Sequence, residues 1–152
     1  MIDDIFCRGK ATYKDGRTRW VYGAFLMHIN RTPCVIGDSV KPEDVEYLIL
    51  HDGFSDWNMP RGIDATPVDP KTVGRYTGRK DKNGCRIFED DIVRTKHGRI
   101  CKVIWLSSPR YVGFDLLPLE DRNPEPDPMD IYDRCFVEVV GNIHDTPMEA
   151  LL

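Results

Sequence analysis

The stretch that decides the fold is residues 73–102, VGRYTGRKDKNGCRIFEDDIVRTKHGRICK. It contains two turn signals, Asn83-Gly84 and His97-Gly98, each set between residues that favour strands. An Asn-Gly pair flanked by apolar residues predicts a β-hairpin, because a type I′ turn needs positive φ at both central positions. Residues 91–96 and 99–106 are therefore expected to pair as a hairpin across the second turn.

Similar strand-favouring runs, separated by Gly, Pro, Asn and Asp, recur along the rest of the chain at residues 5–13, 18–29, 34–36, 45–51, 111–117 and 135–143. Their density predicts a mainly β protein with a small antiparallel SH3-like barrel core and long loops. The run 18–29 is apolar on both alternating sets, which is typical of a strand buried on both faces, and Gly23 within it indicates a bulge or bend.

Three further segments complete the secondary-structure prediction. Residues 42–45 are compatible with one helical turn or a loop. Residues 52–70 are expected to be irregular, because Gly and Pro recur there, with a helical turn starting at Asp69-Pro70. The capping box Thr146-Pro147-Met148-Glu149 predicts a short C-terminal helix.

Alternation along the strands also predicts which side chains form the core. The expected core residues are apolar and lie on the inward-facing set of their strands: Trp20, Tyr22, Phe25, Val93, Val103, Ile104, Phe114, Val137 and Val139.

Length and composition are those of one globular domain. A chain of 152 residues with 41% hydrophobic and 30% charged residues is long enough for one domain with a hydrophobic core and too short for two such domains. No run approaches the ~20 apolar residues of a membrane helix, and the acidic N-terminus does not resemble a signal peptide. These features predict a protein of the cytoplasm. Residues 118–133, rich in proline and acids, are expected to form a mobile acidic loop.

No catalytic, cofactor or metal site is legible in the sequence. The five cysteines are widely spaced without a CxxC pair and are interpreted as free thiols in a reducing compartment. The four histidines lack the spacing of metal ligands. The adjacent acids Asp90 and Asp91 would point to opposite faces of a strand, so they are assigned to a turn. We therefore predict no enzyme activity, no cofactor and no metal.

The stretch 73–102 resembles the signature of the YopX family, small proteins found mainly in phages and prophages, whose pattern reads approximately VGxYTGLKDKNGxxIYEGDIV. Further matches lie near both ends of the chain, at Trp20-Val21-Tyr22-Gly23 and in the segment Val137 to Ile143. The resemblance implies one YopX-like domain over residues 1–152. The resemblance implies no particular biochemical activity, because none is established for the family.

The chain departs from that family pattern at three positions. Arg79 stands where the family usually has an apolar residue, Phe88 replaces a tyrosine, and Asp90 replaces a glycine. Since Asp tolerates left-handed backbone better than most residues, the turn before Asp91 is expected to survive the change.

Charge is unevenly distributed along the chain. The net charge is −4, yet residues 75–102 carry nine basic and four acidic side chains, a local balance of +5. A recognition surface is predicted from basic residues of this segment: Lys80, Lys82, Arg86, Arg94, Lys96, Arg99 and Lys102. A structural role is predicted for a second set, which holds the turns: Gly78, Asp81, Asn83, Gly84 and Asp91.

Two function classes follow from these features. The first is a non-enzymatic interaction or assembly module that works through self-association or through a host or phage protein. The means for self-association are an apolar strand, an aromatic loop and patches of opposite charge. The alternative is a nucleic-acid-binding accessory protein, because the basic hairpin 94–102 lies near Tyr76 and Trp105 and resembles small RNA-binding barrels.

Overall fold

The computed structural model describes residues 6–120, 127–128 and 137–147. Its contacts divide the chain into two compact units, an N-terminal unit that ends at Val73 and a C-terminal unit that begins at Gly74. The single domain expected over residues 1–152 stays a prediction. Each unit is described by itself below.

The described residues are almost entirely strands and turns. One 3-10 turn at Pro42–Asp44 is the helical turn that the sequence left open as a turn or a loop. The strands, in chain order, are β1 (Phe6–Thr12), β2 (Thr18–Ile29), β3 (Val45–Asp52), β4 (Ile63–Pro67), β5 (Asp69–Lys80), β6 (Arg86–Phe88), β7 (Asp91–Arg94), β8 (Ile100–Ser107), β9 (Val112–Pro118), β10 (Asp127–Pro128) and β11 (Glu138–Asn142).

The N-terminal unit is an antiparallel sheet with the strand order β4-β3-β2-β1-β5. β1 and β2 pair in unbroken register from Phe6↔Ala24 to Thr12↔Thr18, and β2 and β3 pair from Ala24↔Leu50 to Ile29↔Val45. The core of this unit lies on one face of the sheet and consists of five buried side chains: Cys7, Ala11, Val21, Ile49 and Val68.

Gly23 has a different role from the predicted bulge, since the pairing of β1 with β2 runs through it without a shift. A Cβ atom at this position would lie 1.9 Å from the Leu50 carbonyl oxygen. The glycine is therefore explained by the close approach of the β3 backbone.

The prediction that β2 is buried on both faces is wrong. Its last five residues, from Phe25 to Ile29, are exposed, and so is Tyr22. Tyr22 and Phe25 are accordingly not core residues, and Trp20 is only half-buried. The buried member of the Trp20-Val21-Tyr22 run is Val21, which faces the core beside Ile49.

The C-terminal unit contains a second antiparallel sheet, with the order β10-β9-β8-β7-β11, and a pairing of the end of β5 with β6. The predicted core residues Val93, Val103 and Val137 are fully buried here, and Phe114 and Val139 pack against them. Ile104 is half-buried. The predicted hairpin is present, with β7 pairing β8 from Ile92↔Lys102 to Arg94↔Ile100.

Several local predictions need correction. Residues 34–36 form no strand, and residues 63–67, expected to be irregular, form β4. The Asp69-Pro70 pair begins β5 and not a helical turn. Within the described residues both sheets are open, so the SH3-like barrel is not confirmed.

Two predicted segments lie largely or wholly outside the described residues. The acidic loop 118–133 is described only at residues 118–120 and 127–128, and the C-terminal helix would start where the description ends, at residue 147. In the part of the chain that is described, no helix has the length and apolar character needed to cross a membrane.

Candidate functional site

Asp81 is the centre of the loop that carries the YopX-like pattern. Its buried carboxylate accepts three backbone N–H groups: Oδ1 accepts from Asn83 and Cys85, both at 2.8 Å, and Oδ2 accepts from Val139 at 3.1 Å. The backbone closes the same loop, since Asp81 N–H donates to the Cys85 carbonyl and Gly84 N–H donates to the Asp81 carbonyl. One carboxylate therefore organises the loop and also fixes it to β11.

These bonds set the charge state of Asp81. Burial raises the pKa of the carboxyl group, but the N–H donors of Val139, Cys85 and Asn83 together lower it further than burial raises it. The net pKa is below the ordinary value of 3.8. Asp81 is thus a charged acceptor at neutral pH, and its three backbone hydrogen bonds stabilise the fold.

Two glycines of the pattern, Gly78 and Gly84, occupy left-handed backbone. Gly78 has a φ of 76° and Gly84 a φ of 83°, and Gly98 in the second turn also has a φ of 83°. Neither Asn83 nor His97 has positive φ. The turns are therefore not type I′. In each turn the N–H of a single left-handed glycine donates to the carbonyl three residues earlier, as in three-residue hairpin loops.

Asp91 and Asp90 have separate structural partners, as expected from their opposite directions. The Asp91 carboxylate is buried and accepts the Phe88 N–H at 2.7 Å. Asp90 has a φ of 68°, the left-handed conformation expected where the family has glycine. Its carboxylate lies 2.8 Å from Lys102 Nζ and 3.4 Å from His144 Nε2. This contact with His144, which lies 54 residues further along the chain, could not be predicted from the sequence pattern.

The predicted recognition surface does not form one continuous field of positive charge. Glu138 binds Lys82 at 2.9 Å and lies 3.9 Å from Arg94, while Asp90 binds Lys102. The hydrogen bond from Lys82 is the largest of the causes that lower the pKa of Glu138. Two carboxylates thus offset part of the basic charge that the sequence predicted.

The remaining four basic residues of that surface are exposed. Lys80 and Arg86 are cross-strand neighbours on β5 and β6, and the Arg86 guanidinium lies 5.7 Å from the centre of the Tyr76 ring. Lys96 and Arg99 flank the turn between β7 and β8. Whether these side chains recognise a partner stays a prediction.

An aromatic cluster in the C-terminal unit was not singled out from the sequence. The Arg75 guanidinium stacks 4.2 Å from the centre of the Trp105 ring and binds Glu89 at 3.0 Å. Trp105 and Phe114 meet edge to face at 4.8 Å. The pairing of β8 with β9 places the two rings opposite each other, a register that alternation alone does not fix.

Exposed apolar side chains are concentrated in the N-terminal unit. Of the sixteen large apolar side chains that are exposed among the described residues, thirteen belong to this unit. They include Phe25 and Met27 on β2, and Phe54 and Trp57 in the connection between β3 and β4. Packing within the fold does not explain this concentration, because these side chains are exposed.

Residues able to bind a metal are scattered. Across residues 6–120, 127–128 and 137–147, no group of three His, Cys, Asp or Glu side chains is placed to hold an ion. Of the described cysteines, Cys7 and Cys101 are buried, and Cys34 and Cys85 are exposed.

Comparison with known proteins agrees with the resemblance noted in the sequence. No curated protein matches the chain. The model of the family described as YopX protein matches residues 38–149, which include the Asp81 loop, the left-handed glycines Gly78, Gly84 and Gly98, and β11. The chain therefore belongs to the YopX family.

Proposed function

We propose that this YopX family member is a phage- or prophage-encoded, non-enzymatic interaction or assembly module. It acts in the host cytoplasm through self-association or through a host or phage protein. The supporting observation is the concentration of exposed apolar side chains in the N-terminal unit. Monomeric soluble proteins rarely leave large apolar patches in water, because their exposure costs free energy that a partner surface can recover.

The Asp81 loop supports the non-enzymatic part of the proposal. Its acidic groups, Asp81 and Asp91, are buried and satisfied by backbone N–H donors. A catalytic carboxylate needs an oxygen that can reach a substrate proton. The residues of the family pattern are thus best explained as builders of the fold.

Light scattering of the purified chain at tens of micromolar tests this function. A mass above 17.5 kDa that rises with concentration is expected for self-association. If the chain stays monomeric, the module must bind another protein. Saturable binding to one identified host or phage protein is then the expected result, and failure of both measurements contradicts the proposal.

A second candidate function is nucleic-acid binding through the hairpin 94–102. The exposed Lys96 and Arg99 at its turn favour this function, and the ion pairs of Arg94 and Lys102 with carboxylates weaken it. A mobility shift that weakens steeply with salt and is lost in the double variant Lys96→Ala, Arg99→Ala would support it, because phosphate contacts release counterions. No shift at low salt would exclude it.

A further inference from the structure

The connection between β3 and β4, residues 53–62, is an ordered projection, here called the apolar tip. Its neck is closed by the Gly53 N–H bonding the Gly62 carbonyl at 2.9 Å. Inside it, the Met59 N–H bonds the Asp56 carbonyl, the Ser55 hydroxyl bonds the Met59 carbonyl, and Asn58 has a φ of 62°. A loop with these bonds loses little conformational entropy when it binds.

The side chains that the apolar tip displays are the kind that anchor interfaces. Trp57 is 94% exposed, Phe54 is 89% exposed and Met59 is 64% exposed. Trp is enriched among the residues that dominate binding energy, and aromatic residues and Met are enriched at interfaces as a class. An ordered backbone that holds these three side chains in water is arranged for a partner surface.

An apolar groove lies beside the tip on the same unit. It consists of two adjoining cavities of about 360 and 290 Å³ that share Ala24, Leu50, His51 and Asp52. The larger cavity adds the stacked rings of Phe6 and Tyr22, and the smaller one adds Ile63. The groove is therefore walled mainly by apolar and aromatic side chains, and its polar lining groups, His51 and Asp52, belong to both cavities.

The tip and the groove meet at one place in the fold. Asp52 and Ile63 are the last paired residues before the tip, and both also line the groove. A two-fold axis beside this pair brings the tip of each copy to the groove of the other. Such an arrangement is isologous and closed, because each copy gives one tip and receives one.

The area of this arrangement is that of a specific dimer. Each aromatic side chain buries ~150–250 Å², so the Phe54 and Trp57 pairs of two tips bury roughly 600–1,000 Å². The groove walls that they cover add a similar area. The total is about 1,200–2,000 Å², the range of standard stable interfaces.

We propose that the apolar groove binds the apolar tip of a second copy of this chain, in a two-fold symmetric dimer. This proposal rests on the interaction function proposed above and names the partner surface. Trp57 fills the groove in this arrangement, and Ile63 forms part of its wall. Both side chains leave water on association.

Three exposed single substitutions test the docking by sedimentation or light scattering. Trp57→Ala removes the tip anchor, and Ile63→Asp places a charge in the groove wall. Ile36→Ser removes a fully exposed apolar side chain of the same unit that belongs to neither surface. The expected results are a dissociation constant raised at least tenfold by each of the first two and an unchanged one for Ile36→Ser. Melting temperatures should be equal in all three when they are measured at a dilution where the wild type is monomeric, because dimerisation itself raises the melting temperature.

Mixing the two dimer-deficient variants gives the sharper test. A heterodimer of Trp57→Ala with Ile63→Asp keeps one intact contact, the tip of the second chain in the groove of the first. Neither homodimer keeps any. Heterodimers are therefore expected at concentrations where each variant alone is monomeric, and the exposed Trp57 of the Ile63→Asp chain shifts its fluorescence to the blue on mixing.

The possible failures are distinguishable. A wild-type dimer that Trp57→Ala and Ile63→Asp leave unchanged overturns the docking of tip and groove while the interaction function stands. Loss of dimers in both variants without recovery on mixing also overturns it. A wild-type chain that remains monomeric overturns the dimer, and the interaction function then depends on a different protein.

Discussion

The Asp81 carboxylate accepts the backbone N–H of Val139 at 3.1 Å, across 58 residues of chain. The same carboxylate closes its own loop through the N–H groups of Asn83 and Cys85. Parallel to the side-chain bond, the Lys82 N–H donates to the Val137 carbonyl. These bonds, here called the Asp81 clamp, therefore join the turn after β5 to the start of β11.

Asp81→Asn should destabilise the protein by about 2 kcal/mol, because hydrogen bonds to a charged acceptor are stronger than those to a neutral one. The NH₂ group of the new Asn side chain would also face at least one of the three backbone N–H groups, and two donors cannot bond each other. Chemical denaturation of both proteins measures the difference. A variant within about 0.5 kcal/mol of the parent would contradict the clamp.

The pH dependence of the same pair gives an independent check. The pKa of Asp81 is lower in the folded chain than its ordinary value of 3.8. The stabilisation is therefore complete above the unfolded-state pKa and is lost as the pH falls through the lower folded-state pKa. The difference in unfolding free energy between wild type and Asp81→Asn should shrink as the pH falls below about 4. A difference that stays constant from pH 6 to 3 would contradict the assignment.

Gly84→Val should cost about 1–3 kcal/mol, because it forces a β-branched residue into left-handed backbone. Nothing lies within 4 Å of an added Cβ at this position, so the cost is one of backbone conformation and not of collision. Gly62→Val is the matched control, since its added Cβ also meets nothing and its φ is not left-handed. Equal melting temperatures for the two variants would show that the turn does not need its glycine.

Replacing Lys80, Lys82 and Arg86 together by Ala should change the unfolding free energy by less than about 1 kcal/mol, since exposed ion pairs contribute little. The lost Lys82–Glu138 pair is partly exposed, and the like charges of Lys80 and Arg86 lie on paired strands. The variant should also self-associate like the wild type. If it melts normally but loses a binding activity, while Gly84→Val melts like the parent, the loop is a recognition loop after all.

Gly23→Ala should destabilise the N-terminal unit by about 3 kcal/mol or more, because the new methyl group would overlap the Leu50 carbonyl oxygen, which is backbone and cannot rotate away. Gly62→Ala serves as its control, with nothing within 4 Å. Thermal melts of the two variants should differ clearly. A stable Gly23→Ala would mean that β2 and β3 do not approach as closely as described.

The positions of most strands were easier to predict than which of their side chains face the core. Val93 in β7 and Val103 in β8 were identified from the pattern as core residues, although neither strand alternates strictly, since Ile92 beside Val93 is fully buried as well. β2 is apolar on both sets, so alternation could not decide that Val21 faces the core and Tyr22 faces solvent. β4 was missed because Pro67 and the nearby glycines suggested a loop. As an edge strand it tolerates a terminal proline.

The structural residues of the site were easier to predict than its surface. The left-handed backbone of Gly78 and Gly84 and the bond from the Asn83 N–H to Asp81 form between neighbours in sequence, so local patterns indicate them. The surface charge was harder to predict because it depends on ion pairs between separated parts of the chain. Glu138 offsets the charge of Lys82, and Asp90 offsets the charge of Lys102, and composition alone does not show either pair. The apolar tip lies in the segment 52–70, for which the recurring Gly and Pro predict only irregular structure.

Self-association through the N-terminal unit is tested most directly by the solution mass of the wild-type chain, measured by light scattering over a concentration series up to tens of micromolar. The mass is expected to rise from 17.5 kDa towards about 35 kDa, the mass of two chains. A mass that stays at 17.5 kDa throughout the series would contradict self-association through the N-terminal unit.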